Sequence, residues 1–120
     1  MKLSPLDILF SKYIRLRADY TCEYCGSVQN PETKRPQMDT AHFKGRRYRQ
    51  VRWDTDNAAC LCHGCHMHMH DNPDTWAKFF ETRLGSRRLE ELGIRAEKTW
   101  PKVDKAAIKA DLVEKIRGME

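Results

Sequence analysis

Two pairs of closely spaced cysteines constrain the fold of this chain more than any other feature. Cys22 and Cys25 form one C-x2-C pair, and Cys62 and Cys65 form the other. Two intervening residues let both thiolates of a pair face one ion from a tight turn, and four thiolates complete a closed tetrahedral shell. The two pairs therefore predict a structural Zn²⁺ site that joins distant segments and leaves no open position for a substrate.

The surroundings of the cysteines favour a metal site over redox chemistry. No βαβ pattern surrounds either pair, and in a reducing compartment closely paired cysteines are metal ligands more often than disulfides. The chain has 120 residues, which is the size of one domain. A domain this small buries only part of its apolar surface, so a metal adds useful stability. We expect the fifth cysteine, Cys60, to be a small buried core residue.

The charge balance favours a polyanionic partner. The formal net charge is +5 and the sequence pI is about 9.0. No apolar run is long enough to span a bilayer, and the first residues lack the hydrophobic region of a secretory signal. We therefore expect a cytoplasmic protein with no membrane partner.

The apolar pattern predicts an α+β fold. Ser4 and Pro5 predict the start of an N-terminal helix. Residues 38–43 and 48–53 are short enough to be two strands of a hairpin turning near Gly45. A short helix is expected to begin near Asn57 or Cys62 and to end near His70.

The C-terminal part is predicted to be helical. One helix starts at Asn72 and closes at Gly85, and a turn around residues 89–92 precedes Gly93. Asp104 can cap a last helix, whose apolar positions are Ile108, Leu112 and Ile116. This helix could pack on the core or on a second subunit, so a monomer and a homodimer both stay open. The chain is expected to be a single domain over 1–120, with an N-terminal helix at 1–19, a zinc-stapled core at 20–72 and a helical extension at 73–120.

All five histidines lie around the cysteine framework. A lone histidine is usually structural, but this gathering argues for a shared role. If residues 62–70 are helical, His66 and His70 share one face and place two imidazoles within reach of one metal. His68 would lie on the opposite face and be a surface residue. His63 could assist the metal or face nucleic acid.

These residues resemble a known enzyme family. The order His42, Asn57, Cys62-x2-Cys65-His66, ending near His70, resembles the HNH or ββα-metal nuclease finger over residues 20–72, and the first cysteine pair matches its zinc-stapled branch. The stretches 10–17, 41–43 and 53–57 are similar to phage NinG/Rap-type recombination nucleases. The resemblance implies a DNA endonuclease in the cytoplasm of a phage-infected or prophage-bearing bacterium.

The resemblance also implies roles for individual residues. His42 would be the general base, and Asn57 would brace the loop that carries it. His66 and His70 would hold one catalytic divalent cation, which could be Mg²⁺, Mn²⁺, Ni²⁺ or Zn²⁺. Many members carry a ligand directly before the base, where this chain has Ala41. Asp39, a backbone carbonyl or water could replace that ligand, although Asp39 and His42 would face opposite sides of a strand. A weaker metal site or a degenerate enzyme stays open.

A basic stripe follows His42. A charge run is often only a solvated face, but beside a phosphodiester site a role in binding DNA phosphates gains weight. Its cations would give affinity without reading bases, and the resemblance suggests branched or recombination DNA. The alternatives are a non-catalytic zinc-dependent nucleic-acid-binding module and a protein-interaction adaptor. The stripe consists of Lys44, Arg46, Arg47, Arg49 and Arg52, with Tyr48 and Trp53 interleaved.

Overall fold

Five helices surround a two-stranded sheet in the computed structural model, which describes residues 2–30, 32 and 38–120. The fold is therefore α+β within the described residues. In chain order the elements are α1 (Pro5–Arg17), β1 (Met38–His42), β2 (Ala58–Cys62), α2 (His63–Asp71), α3 (Pro73–Leu84), α4 (Ser86–Glu97) and α5 (Lys105–Met119), with short 3-10 turns at Arg49–Val51 and Thr55–Asn57 between the strands.

Helix α1 starts where the sequence predicted, because its first turn is capped by side chains. The Ser4 hydroxyl accepts a hydrogen bond from the Asp7 backbone N–H, and the Asp7 carboxylate accepts one from the Ser4 N–H. This reciprocal arrangement satisfies two donors that a helix start leaves unpaired. Phe10 and Ile14 are buried on the face that turns to the core.

The sheet differs from the predicted hairpin. Strands β1 and β2 are antiparallel, with His42 opposite Ala58 and Met38 opposite Cys62. The prediction of a strand at 48–53 was wrong, because that segment contains the 3-10 turn at Arg49–Val51. Its Tyr48, Val51 and Trp53 are residue types that favour strands, so this short segment imitates one. Residues 58–61 are all buried, so the true second strand lacks the alternation that marks a half-exposed one.

The helices after the sheet follow the predictions in most respects. Helix α3 begins at Pro73 and ends before Gly85, whose φ of +82° suits glycine. The predicted turn before Gly93 was wrong, since Gly93 lies inside α4. That helix is held by its buried Leu92 and Ala96, and tertiary packing of an apolar face outweighs the cost of one interior glycine.

Helix α5 packs on this chain's own core. The Asp104 side chain accepts a hydrogen bond from the Ala107 N–H and caps the helix as predicted. Leu112 and Ile116 are buried, and α5 lies against α1. The apolar face of α5 is therefore buried against the rest of this chain. Across residues 2–30, 32 and 38–120, none of the helices has the length and apolarity needed to cross a membrane.

Candidate metal and nucleic-acid site

The four paired cysteines meet in one cluster. The sulfur atoms of Cys22, Cys25, Cys62 and Cys65 all lie within 4.8 Å of one another. The Cys25 and Cys62 sulfurs are 3.8 Å apart. Sulfurs bound to one tetrahedral zinc at ~2.3 Å would be about 3.8 Å apart, whereas disulfide sulfurs are about 2.05 Å apart. The cluster is therefore spaced to hold a metal ion and not to form a disulfide.

Both cysteine pairs use the same local geometry. The Cys22 sulfur accepts a hydrogen bond from the Cys25 N–H at 3.5 Å, and the Cys62 sulfur accepts one from the Cys65 N–H at the same distance. The first turn closes through Gly26, whose φ is +81°. The second turn is the start of α2, with Cys62 as its N-cap. Short-range turns thus aim each pair of sulfurs at a common point.

The sulfurs have unequal acidities. Hydrogen bonds from the Ser27 hydroxyl and backbone lower the pKa of Cys25 to about 6. Burial raises the pKa of Cys65, and the neighbouring cysteine sulfurs raise it further. A thiolate is thus favoured at Cys25 and disfavoured at Cys65. A bound cation would remove this conflict by neutralising several thiolates together.

Cys60 lies outside the cluster, as predicted. It is fully buried, and burial together with the Glu23 carboxylate raises the pKa of its thiol to about 12. Its backbone joins β2 to the first cysteine turn. The Cys60 N–H donates to the Glu23 carboxylate at 2.6 Å, and the Glu23 N–H donates to the Cys60 carbonyl at 2.8 Å. Cys60 is therefore a core residue with an unreactive thiol.

His42 is half-buried at the end of β1, and its ring is fixed by the backbone. Its Nε2 lies 2.9 Å from the carbonyl oxygen of Arg52. A carbonyl only accepts hydrogen bonds, so Nε2 carries the proton and Nδ1 keeps its lone pair. Burial lowers the pKa of His42, against the opposing effect of the Arg52 carbonyl, and the Arg46 charge lowers it further. The imidazole is therefore a neutral base at pH 7.

Asn57 pins the loop that follows His42. Its side chain is fully buried and makes three hydrogen bonds to backbone. The amide oxygen accepts from the Lys44 N–H at 2.7 Å, and the amide nitrogen donates to the carbonyls of Lys44 and Val51 at 2.8 and 2.9 Å. One side chain thus fixes both ends of the loop beside His42.

Arg52 has a different environment from the one predicted. Its guanidinium donates to the Asp7 carboxylate through Nε at 2.9 Å and through Nη2. Burial would raise the pKa of Asp7, but hydrogen bonds from Arg52 and Ser4 outweigh it and hold that pKa well below its usual range. The charge of Arg52 is therefore compensated, and Arg52 contributes its carbonyl to His42. No sequence pattern indicates this pair, since its members are 45 positions apart.

A second polar cluster lies where β1 meets α2. The Asp39 carboxylate is 2.9 Å from Nδ1 of His63 and 2.9 Å from Nδ1 of His66. Burial would raise the pKa of Asp39, but the hydrogen bonds from the two histidines lower it. The sequence left the role of His63 open, and in the structure His63 contacts the same carboxylate as His66. His70 is exposed, and no contact with Asp39 is seen in the described part of the chain.

The two polar sites lie on opposite sides of β1. Asp39 contacts α2, whereas the ring of His42 lies 5.7 Å from that of Phe10 on α1. This separation follows from the pleat, because positions three apart on a strand face opposite sides. Within residues 2–30, 32 and 38–120, the cysteine cluster is the only group of three or more His, Cys, Asp or Glu side chains that lie close enough together to share a metal ion.

The remaining basic residues lie along the loop after β1. Arg47 and Lys44 lie over the Tyr48 ring, with 4.9 and 5.8 Å from their charged groups to the ring centroid. The Nε of Arg46 is buried and has no hydrogen-bond partner among the described residues. Arg49 is exposed. Arg47 and Arg49 are therefore exposed to solvent, whereas the Arg46 guanidinium is partly buried.

The chain matches no protein-family model, no curated protein and no solved structure.

Proposed function

We propose that this chain is a metal-dependent DNA endonuclease of the HNH type, built on a zinc-stapled ββα-metal finger. The observation that carries the proposal is the hydrogen-bonding environment of His42. The Arg52 carbonyl leaves Nδ1 as the basic nitrogen, and Asn57 fixes the adjoining loop. A general base for hydrolysis near neutral pH needs a neutral imidazole in a fixed orientation.

The structural metal would be Zn²⁺ held by the four cysteines. The sulfur spacing fits the tetrahedral shell of zinc, and thiolate ligands favour zinc over magnesium or calcium. This ion would tie the first cysteine turn to the start of α2. It would thereby hold α2 against β1, where Asp39 meets His63 and His66.

The chemistry would be hydrolysis of a phosphodiester bond. Water gives its proton to Nδ1 of His42 while its oxygen bonds to phosphorus. The bond from phosphorus to the 3′-oxygen breaks, and that oxygen takes a proton from solvent, which leaves a 5′-phosphate and a 3′-hydroxyl. A divalent cation, when bound, supplies the Lewis acid that stabilises the developing charge.

Asp39 and His66 are the residues best placed to hold that cation. Two protein ligands are enough for a hydrated ion that completes its shell with water and a phosphate oxygen. His70 is exposed and forms no hydrogen bond or ion pair with Asp39 among the described residues, so we favour Asp39 and His66 over His66 and His70 as the ligand pair. Arg46, Arg47 and Arg49 would bind neighbouring phosphates. The resemblance to recombination nucleases extends the proposal to branched DNA in a phage-infected or prophage-bearing bacterial cytoplasm.

A second candidate function is a non-catalytic, zinc-dependent nucleic-acid-binding module. The observation that favours it is the separation of His42 from Asp39 and His66 on opposite sides of β1. Ala41 also stands where the family often has a metal ligand. In this alternative the cysteine cluster and the basic residues keep their roles, and the histidines are structural.

A cleavage assay separates the two candidates. Supercoiled plasmid and a four-way junction are incubated with Mg²⁺, Mn²⁺ or Ni²⁺ and the wild-type chain, His42→Ala or His68→Ala. His68 is an exposed histidine that stacks on Tyr24, and it serves as the matched control. The nuclease predicts metal-dependent cutting that His42→Ala abolishes and His68→Ala retains. Because the pKa of His42 is lowered, the rate should stay constant through neutral pH and fall only in more acidic solution.

The same assay tests the cation ligands. His66→Ala should reduce cutting and raise the metal concentration needed for half-maximal rate, whereas His70→Ala should leave both close to wild type. The opposite ranking would support the ligand pair expected from sequence. The absence of cutting with every metal, together with salt-sensitive DNA binding, would favour the non-catalytic module.

A further inference from the structure

A basic cleft opens beside the proposed catalytic site. It has a volume of about 970 Å³ and lies between residues 47–53 and the connection from α4 to α5. Its second wall comes from residues 96–105, for which no sequence pattern predicts a role in binding. The cations that line it are Arg47, Arg49, Arg52, Lys98, Lys102 and Lys105.

The charge of this cleft is largely uncompensated. Arg52 is paired with Asp7, but the other five cations form no ion pair with a carboxylate anywhere in the described structure. The one acidic residue in the lining is Glu97. Some cations elsewhere on the surface are paired, as in Arg88 with Asp56. Like charges on two facing walls concentrate positive potential, which attracts a polyanion.

An exposed aromatic ring lies in the segment that forms the second wall of the cleft. Trp100 is not itself among the lining residues, but its side chain is 75% exposed between Lys98 and Lys102, which do line the cleft. Tyr48 and Trp53 are less available, because Arg47 lies over one ring and Lys105 over the other. An exposed aromatic ring among cations is the arrangement on which unpaired bases stack in proteins that bind single strands.

The two walls are tied together by a hydrogen bond. The Gln50 side chain donates it to the Pro101 carbonyl, and Val103 packs against the core. The wall that carries Gln50 also includes Arg52, whose carbonyl fixes His42. A strand lying in this cleft would therefore contact the residue that orients the proposed general base.

We propose that this cleft binds single-stranded DNA, with phosphates along both walls and an unpaired base stacked on Trp100. A volume of this order matches sites for small ligands and accommodates a few nucleotides, whereas a duplex keeps its bases stacked inside and cannot offer one to Trp100. Delivery of the strand to His42 rests on the proposed nuclease function, but the binding itself does not.

The test is fluorescence anisotropy of labelled oligo(dT) over a range of salt concentrations, without added divalent cation. Replacing both lysines in Lys98→Ala/Lys102→Ala should lower the slope of log K against log salt by about 1.4, since each phosphate contact to a single strand contributes about 0.7. Trp100→Ala should weaken binding by about tenfold with an unchanged slope. Lys78→Ala on α3, outside the cleft, is the matched control and should behave as wild type.

Several outcomes would overturn the inference. These are a double-lysine slope equal to that of Lys78→Ala, a loss of slope in Trp100→Ala, or tighter binding of a hairpin duplex or of oligo(U) RNA than of oligo(dT). Metal-dependent plasmid cutting together with a double-lysine slope equal to that of Lys78→Ala would refute the cleft and leave the nuclease standing. The expected binding pattern without cutting would refute the nuclease and leave the cleft standing.

Discussion

The ion pair between Asp7 and Arg52 gives the sharpest test of how this fold positions His42. Asp7 is 4% exposed and Arg52 is 13% exposed. The carboxylate also accepts hydrogen bonds from the Ser4 N–H at 2.7 Å and from the Trp53 indole N–H at 3.0 Å. One acidic side chain thus links the start of α1 to the backbone that holds His42. We therefore expect Asp7→Asn to destabilise the protein.

The magnitude follows from the burial of the pair. Removing one partner of a buried ion pair typically costs about 3–5 kcal/mol, because the other charge is left uncompensated. Asparagine keeps one acceptor oxygen, which can retain a hydrogen bond from Ser4. We therefore expect a loss of about 3 kcal/mol in the free energy of unfolding for Asp7→Asn.

Urea denaturation of the zinc-loaded protein at pH 7 measures this loss. The matched control is Asp111→Asn, because Asp111 is 59% exposed and pairs with Lys115 on the surface of α5. An exposed pair of this kind contributes about 0.5 kcal/mol or less. Arg52→Met combined with Asp7→Asn should cost less than the sum of the two single changes, since no charge is then left buried. A loss below about 1 kcal/mol for Asp7→Asn, or strict additivity in the double variant, would refute the reasoning.

The pH dependence gives an independent check with a definite sign. The pKa of Asp7 is lowered on folding, so its contribution is complete above the unfolded value near 3.8 and is lost as the pH falls below it. Wild type should therefore lose stability below about pH 4 more steeply than Asp7→Asn. The two stability curves should converge in acid, and a constant separation would contradict the assigned pKa direction.

Two further predictions concern the metal and the loop. Cys62→Ser should abolish stoichiometric zinc binding and lower the thermal midpoint, as should chelation of the wild type, whereas Cys60→Ser should keep its zinc. Metal analysis and thermal denaturation measure these two effects, and zinc retained in Cys62→Ser would disprove the site. Asn57→Ala should lower the free energy of unfolding by about 3 kcal/mol in urea denaturation, because it leaves buried backbone groups of Lys44 and Val51 unpaired, and it should reduce any cleavage. A loss within the error of the Asp111→Asn control would show that the loop is held by other contacts.

Much of the local structure was predictable from sequence. The C-x2-C spacing predicted that both sulfurs of each pair face one point, because each pair is assembled within one short turn. The starts of α1 and α5 were predictable because Ser4 and Asp104 cap their own helices. In these cases the stabilising contact lies within a few residues of its cause, so the sequence pattern contains the whole interaction.

The features that failed or were missed depend on distant residues. The second strand was misplaced because residues 58–61 are buried on both faces by other elements, which removes the alternation. The pairing of Asp39 with both His63 and His66 was missed because it depends on how the start of α2 lies against β1, which leaves His70 exposed.

Sequence alone therefore determined which turns and helix starts form, and which residue types are available for metal and phosphate binding. Tertiary structure decided that the Arg52 charge is neutralised by Asp7 while its carbonyl fixes His42. It also brought Lys98 and Lys102 to face Arg47 and Arg49 across one cleft. The physical reason is that burial and electrostatic pairing depend on distances between atoms, and these distances are set only when remote segments pack together.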